Sequence, residues 1–141
     1  MIYLDSNGFI YAVVADEKTE EKSRLSKEIL VRLSEGNIEV GTSTLTWDEL
    51  VWNVKKFLGE ETAKVEGKKF LEFPNLKILN VDITTITEAQ RITETYKLKP
   101  RDSIHAACAI KNNISKIISD DPDFDKVKEI ERISLEKANE L

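Results

Sequence analysis

The sequence predicts an α/β fold, a three-layer α/β/α sandwich built around a mostly parallel central sheet. Short apolar runs alternate along the chain with longer segments whose apolar residues repeat at helical spacing. Strands that alternate with helices through short loops form right-handed βαβ units, which give a parallel sheet. Asp5 and Asp121 each follow a predicted strand, at the edge where open sheets of this kind bind ligands.

The apolar pattern places each element in turn. Strands are predicted at residues 2–4, 38–41, 76–81 and 116–118, with a last edge strand that includes Ile130 and Ile133. Helices are predicted at residues 7–14, 60–73, 84–96 and 102–112, around Leu25, Ile29, Leu30 and Leu33, and around Trp47, Leu50, Val51, Val54, Phe57 and Leu58.

Polar and turn-forming residues mark where these elements begin and end. Charged residues 16–23 indicate a loop and the start of a helix, and residues 35–37, with Gly36, form a C-cap signal. Residues 42–44 (Thr-Ser-Thr) can cap the next helix. Pro74 ends the helix at 60–73, and the segment 99–101, which contains a proline, separates two later helices.

Length and charge narrow the classes of function. A chain of 141 residues is expected to form one domain with a substantial core. Its net charge of −5 argues against nucleic-acid binding by bulk electrostatics, although local contacts through a metal ion and a few lysines remain open. We expect a cytoplasmic protein, because no membrane-spanning run or secretory signal is recognisable and the lone Cys108 cannot form an internal disulfide.

Four acidic residues lie far apart along the chain, yet the predicted fold directs them to one cleft: Asp5, Glu49, Asp102 and Asp121. Asp5 ends the apolar run 1–4, and Asp121 closely follows the run 117–118. The other two open helix-like segments that follow a strand or a proline. Because like charges repel, a fold that gathers four carboxylates normally needs a cation or a proton to hold them.

Each acid also has an ordinary structural interpretation. Asp5 can cap the first helix, and Asp102 suits the dipole of the helix that it opens. Glu49 lies off the apolar stripe of its helix beside Asp48, so it can be a solvated surface residue. Asp121 lies in a charged run that can be a solvated loop. Their joint placement is what favours a metal site.

The residue types favour Mg²⁺ or Mn²⁺ over other chemistries. Both ions take hard oxygen ligands and retain bound waters. One histidine and one cysteine cannot form a His/Cys zinc site. The five glycines are scattered and form no phosphate-binding loop, and nothing resembles the nucleophile elbow of a serine hydrolase.

The segments that carry the acids are residues 2–7, 42–50, 98–107 and 119–124. In order and spacing they resemble the PIN domain family, and more narrowly the VapC-type toxin ribonucleases. The third is the most specific, since Asp102 starts an alanine-rich helix and His105 follows three residues later. The last resembles the pattern Thr/Ser-x-Asp-x-Asp-Phe. It departs in carrying Ser119 where threonine is commoner, and in the extra acid Asp120.

The resemblance implies a single PIN-like domain over residues 1–141, acting as a metal-dependent endoribonuclease and as the toxin of a type II toxin–antitoxin pair. Asp5, Asp102 and Asp121 would bind Mg²⁺ or Mn²⁺, and Glu49 would bind it directly or through water. Residues expected to orient or assist these ligands are Ser6, Ser43, Ser119 and Asp123. His105 is expected to be mainly structural.

The resemblance also implies partners: an RNA substrate, a small antitoxin that occupies the cleft, and a second copy of the chain. Candidate RNA contacts, which can equally be solvated surface charges, are Lys55, Lys56, Lys97, Lys99 and Arg101. Aromatic residues that could form protein interfaces, or more simply the core, are Trp47, Trp52, Phe57, Phe70 and Phe73.

Other assignments fit the residues less well. A two-component receiver domain also binds Mg²⁺ beyond a parallel sheet, but no early acidic pair follows the first strand. A haloacid-dehalogenase-like phosphatase would need an acid two residues after Asp5, where Asn7 stands. A PIN-like domain that only binds its partners is less consistent with the presence of all four acids. A PIN nuclease that processes RNA without an antitoxin is an alternative that the sequence does not exclude.

Overall fold

A computed structural model describes residues 1–15 and 19–141. The predicted loop and helix start at 16–23 therefore lies partly outside the described residues. The described chain forms five parallel strands in the order β3-β2-β1-β4-β5, with helices on both faces. This is the predicted three-layer α/β/α architecture, and the sheet is wholly parallel.

The strands are β1 (Ile2–Leu4), β2 (Val40–Ser43), β3 (Lys77–Leu79), β4 (Lys116–Ile118) and β5 (Glu131–Ile133). The helices are α1 (Asn7–Val13), α2 (Glu20–Ser34), α3 (Thr44–Leu58), α4 (Glu60–Leu71), α5 (Ile83–Tyr96), α6 (Pro100–Lys111) and α7 (Leu135–Ala138), with a 3₁₀ helix at Pro122–Lys126.

Alternating side chains of the central strands anchor two apolar cores, one on each face of the sheet. Leu4 and Ile118 pack into the first core with residues of α1, α2, α3, α4 and α7. Tyr3 and Ile117 pack into the second core with residues of α5, α6 and the 3₁₀ helix. Such alternation follows from the two-residue period of a strand, and it requires β1 and β4 to be apolar on both faces.

The strand order switches at β1. This strand pairs with β2 on one side (Ile2 opposite Val40) and with β4 on the other (Tyr3 opposite Ile117). The connections leaving β1 and β4 therefore diverge to opposite halves of the sheet. A crevice opens at the carboxyl ends of these two strands, as expected for a topological switch point.

One predicted strand is displaced, and one short helix was not predicted. The strand predicted at 38–41 is shifted by two residues, since β2 runs from Val40 to Ser43. Its last three residues pair with β3, which keeps the polar Thr42 and Ser43 inside the sheet. The helix α7 was not predicted, because its four residues carry too little periodicity to be recognised.

The remaining differences are at element ends. β3 is shorter than the predicted 76–81, α4 ends at Leu71 before the predicted 73, and α6 begins at Pro100, two residues before Asp102. Proline suits the first turn of a helix because its missing N–H has no partner to lose there. Asp102 consequently lies inside the first turn of α6.

The aromatic side chains of α3 do not form core. Trp47, Trp52 and Phe57 are 42%, 59% and 57% exposed, whereas Phe70 of α4 is buried. The buried residues of α3 are Thr46, Leu50 and Val54. Within the described residues, no helix combines the length and apolar character needed to cross a membrane.

Helices α3 and α4 pack closely at Gly67, which generates a stability prediction. A Cβ added at Gly67 would lie 2.9 Å from Val51 Cγ2 and 3.1 Å from Trp47 Nε1. We expect Gly67→Ala to destabilise the protein by about 1–2 kcal/mol, because overpacking outweighs the gain in helix propensity. The melting temperature in a circular-dichroism scan should fall by about 3–6 °C.

Val51→Ala provides the matched control, because it removes the methyl group that the new Cβ would meet. In that background Gly67→Ala should be neutral or stabilising. A rise in melting temperature when Gly67→Ala is made in the otherwise unchanged protein would contradict the close packing of α3 and α4.

Candidate active site

The four predicted acids surround the crevice at the switch point. Asp5 directly follows β1, Asp121 lies three residues after β4, Asp102 is in the first turn of α6 and Glu49 is in the second turn of α3. A cleft of about 590 Å³ is lined by Glu49, Lys99, Pro100, Arg101, Asp102 and Asp121. The fold thus gathers carboxylates that are 116 positions apart at the extremes of the sequence, from Asp5 to Asp121.

Asp5 is the most enclosed of the four, with 3% of its surface exposed. Its Oδ1 accepts a hydrogen bond from the Ser6 amide at 2.8 Å, and its Oδ2 accepts one from Ser119 Oγ at 2.9 Å. The N-cap position of α1 is occupied by Ser6, so capping does not explain Asp5. Burial raises the pKa of Asp5 above its usual value, although His105 and the Ser119 hydroxyl oppose this effect.

Ser119 links two of the acids. Its hydroxyl donates to Asp5 and accepts a hydrogen bond from the Asp121 amide at 3.0 Å. The Asp121 carboxylate in turn accepts from the Asp123 amide at 2.9 Å. Ser119 therefore contacts both the carboxylate of Asp5 and the main chain of Asp121.

Asp120 faces away from this network. Its Oδ1 accepts from the Leu135 amide at 2.9 Å, and its Oδ2 lies 3.8 Å from Lys22 Nζ. These contacts fix the start of α7 against α2. The structure therefore distinguishes Asp121 at the cleft from Asp120, a choice that the sequence left ambiguous.

Three carboxylates form the tightest acidic group in the described chain. One oxygen from each of Asp102, Asp121 and Asp123 lies within 4.8 Å of the others, and all three residues are partly buried. Asp123, expected only as an accessory residue, thus lies with two of the proposed ligands, while Asp5 lies outside this group of three. Hard oxygen donors at this spacing fit a divalent cation such as Mg²⁺ or Mn²⁺.

The pKa of Asp102 reflects both its burial and the neighbouring acids. Its pKa is raised to about 6 by partial burial first, and then by the negative charges of Asp5 and Asp121. Two exposed cations, Lys99 and Arg101, stand at the rim of the same cleft. A cation bound among the carboxylates would offset this repulsion.

Glu49 is not a solvated surface residue. Its side chain is 16% exposed, and its Oε1 lies 2.5 Å from His105 Nε2. The neighbouring Asp48 is exposed, which separates the roles of the two adjacent acids. Glu49 therefore joins the site through His105 as well as through its place on the cleft wall.

His105, which the sequence predicts to be mainly structural, lies against two of the acids. It is fully buried, and its Nε2 also lies 3.8 Å from Asp5 Oδ1. Burial by itself lowers the pKa of His105, but the hydrogen bond to Glu49 and the charge of Asp5 outweigh it, so the net direction is upward. The one signal in the sequence was its position one helical turn after Asp102.

The other predicted accessory serines contribute less. Ser6 Oγ is 3.5 Å from Asp5 Oδ1, a long contact beside the shorter one from its amide. Ser43 Oγ is buried at the end of β2 near the Tyr3 hydroxyl, and none of the site carboxylates in the described chain hydrogen-bonds to it. The hydroxyl of the neighbouring Thr42 donates to the Leu4 carbonyl at 2.9 Å and lies 2.7 Å from the Thr46 hydroxyl.

Only two of the five candidate RNA contacts line the cleft, namely Lys99 and Arg101. Lys55 and Lys56 lie in the last turn of α3, and Lys97 caps the end of α5 in a left-handed conformation. Lys56 Nζ sits 5.3 Å from the centre of the exposed Trp52 ring.

The raised pKa of Asp102 generates a pH prediction for the metal-free protein. The folded pKa of about 6 exceeds the value of about 4 in an unfolded chain, so the folded state binds the extra proton between these pH values. Stability should therefore fall as pH rises through this interval. We expect a higher melting temperature at pH 5 than at pH 7.5 in EDTA, and the raised pKa of His105 acts in the same direction.

Asp102→Asn should reduce that pH dependence and raise the metal-free melting temperature at pH 7.5 by about 3 °C, a modest gain because the carboxylate is partly solvated. The exposed Asp48→Asn serves as the control and should change neither. An unchanged or lower melting temperature for Asp102→Asn at pH 7.5 would contradict the crowding of these carboxylates.

Comparisons with solved structures give the same fold. The VapBC2 complex of Rickettsia felis, bound to a DNA fragment from its promoter, contains a chain with a TM-score of 0.72 at 18% identity, covering 95% of this chain and 98% of that one. VapC20 of Mycobacterium tuberculosis, described as a toxin that cleaves the sarcin–ricin loop, gives 0.71 at 16% identity, covering 89% and 93%. The DNA-bound VapBC of Salmonella typhimurium gives 0.71 at 17% identity, covering 96% and 99%.

At these identities the structural matches establish the fold alone. No curated protein matches the sequence. The strand order 3-2-1-4-5 also differs from the 2-1-3-4-5 order of receiver domains, so that alternative is wrong. The PIN domain family matches residues 2–130, nearly the whole chain, with the four acids inside the matched range. The chain therefore belongs to the PIN domain family.

Proposed function

We propose that this protein is a metal-dependent endoribonuclease that hydrolyses phosphodiester bonds in RNA, and that it is the toxin of a type II toxin–antitoxin pair. The observation that carries the proposal is the convergence of the acids on one cleft, with Asp102, Asp121 and Asp123 within 4.8 Å of one another. A nucleic acid is a polyanion, so a cleft lined by carboxylates can accept it only if cations offset the repulsion.

The oxygen-rich donor set suits Mg²⁺ or Mn²⁺, which would supply an activated water and offset charge developing on the phosphate. Asp102, Asp121 and Asp123 would hold the ion, and Asp5 and Glu49 would bind it directly or through water. Ser119 fixes Asp5 and Asp121 relative to each other through its two hydrogen bonds. One of the carboxylates would accept the proton of the attacking water.

The rim of the cleft provides the contact with substrate. Lys99 and Arg101 flank Asp102 in sequence and line the cleft, where their charges would bind phosphates on either side of the scissile bond. Because the chain carries a net charge of −5, such local contacts would have to overcome an unfavourable overall field.

The toxin assignment is supported by the fold neighbours that were solved as toxin–antitoxin complexes. We infer a small antitoxin that occupies the cleft, and a homodimer. The exposed Trp47, Trp52 and Phe57 would be available for such interfaces. A PIN nuclease that processes RNA without an antitoxin is the second candidate. Co-purification of a small protein encoded beside this chain would favour the toxin.

We predict RNA cleavage that requires Mg²⁺ or Mn²⁺ and that Asp121→Asn reduces by at least about 100-fold, because ligand loss removes several kcal/mol of transition-state stabilisation. Cleavage of a fluorescent RNA under single-turnover conditions measures this loss. Asp48→Asn is the matched control, since that acid is exposed and outside the cleft. Undiminished cleavage in excess EDTA, or by the Asp121→Asn variant, would refute the mechanism.

A further inference from the structure

A chain of hydrogen bonds runs from the centre of the sheet to the cleft. Tyr3 Oη of β1 lies 2.6 Å from His105 Nδ1 of α6, and His105 Nε2 lies 2.5 Å from Glu49 Oε1 of α3. Three elements far apart in sequence thus meet through three side chains. The two rings are in edge contact, with their centroids 5.7 Å apart.

Both inner members are fully enclosed. Tyr3 and His105 have no exposed surface, and they lie beside Ala106 and Ala107 in the apolar core under α6. Burying polar groups costs free energy unless every one of them is paired. An apolar pair of similar size would pack there without that requirement, so stability alone does not explain a phenol and an imidazole at these positions.

The hydrogen-bonding capacity of a carboxylate fixes which group donates in the contact between His105 and Glu49. A carboxylate only accepts hydrogen bonds, so His105 Nε2–H donates to Glu49. With one ring nitrogen committed to the carboxylate, the Tyr3 hydroxyl on the other nitrogen sets the orientation of the imidazole ring. The outer partners of a ligand's hydrogen bonds generally control its geometry in this way.

Glu49 depends on such support more than Asp5 or Asp121 does. Its longer side chain has three rotatable bonds, and at 16% exposure it is only partly confined by packing. Asp5 and Asp121 are each fixed by hydrogen bonds from nearby main-chain amides or Ser119. In the described chain, the Glu49 carboxylate is hydrogen-bonded by His105 alone, whereas Asn53 Nδ2 donates to the main-chain carbonyl of Glu49 at 2.7 Å.

We propose that Tyr3 and His105 are positioning residues that hold the Glu49 carboxylate in place for the divalent cation. This rests on the proposed function, because it assigns Glu49 to the metal site. Tyr3 would act on the reaction without touching ion or substrate.

Tyr3→Phe tests the proposal, because it removes one hydroxyl and keeps the ring that fills the core. We expect Mn²⁺ affinity, measured by electron paramagnetic resonance of free Mn²⁺, to fall by about tenfold, and kcat for RNA cleavage to fall similarly with KM unchanged. In a Glu49→Gln background, Tyr3→Phe should change neither quantity further. His105→Gln, compared in the same two backgrounds, repeats the test if Tyr3→Phe does not fold.

Ile117→Val is the matched control for simple destabilisation, since Ile117 is a fully buried neighbour of Tyr3 in the same core. It should lower the melting temperature and leave Mn²⁺ affinity unchanged. Unaltered Mn²⁺ affinity in Tyr3→Phe, or an equal loss in both backgrounds, would overturn the positioning role. Mn²⁺ affinities that follow the prediction in a protein without RNA cleavage would overturn the proposed function and leave the positioning role standing.

Discussion

Mutual repulsion among buried and half-buried carboxylates is the constraint around which this molecule is arranged. Partial burial first, and then the charges of Asp5, Asp121 and Glu49, raise the pKa of Asp102 to about 6. Asp5, still more enclosed, has its pKa raised by burial as well. Such a group is unfavourable in the metal-free protein, and a cation between the carboxylates would turn the same repulsion into affinity.

The fold provides the geometry that this constraint demands. The switch in strand order at β1 leaves a crevice beyond β1 and β4, and Asp5 and Asp121 occupy the first turns out of the sheet there. The second turn of α3 and the first turn of α6 bring Glu49 and Asp102 to the same place from opposite layers. His105 then ties the layers together, since it contacts Tyr3 of the sheet and Glu49 of α3.

Much of this arrangement was predictable because short segments of sequence determine it. Apolar runs with acids at their ends predicted the parallel sheet and the cleft, and β4 was predicted with its observed bounds. The bounds of β2 were not predictable, because Thr42 and Ser43 are polar residues. They belong to the strand only because they pair with β3. Asp120 and Asp121 are equivalent in sequence, and the contact of Asp120 with the start of α7 depends on a helix too short to recognise.

The exposure of the aromatic side chains of α3 could not be predicted for a similar reason. Trp47 and Phe57 match a helical apolar stripe, but the burial of a stripe depends on which helices pack against it. The contacts of His105 could not be predicted either, because its partners are 102 and 56 positions away in sequence. Long-range side-chain pairing of this kind leaves no periodic signal, so the sequence located the acids and the structure supplied their interactions.

Anomalous scattering from a crystal grown with Mn²⁺ would show whether the converging carboxylates bind a divalent cation. We expect a strong anomalous peak in the cleft, within coordination distance of the carboxylates of Asp102 and Asp121. An empty cleft at saturating Mn²⁺, or an ion bound only elsewhere on the surface, would contradict it.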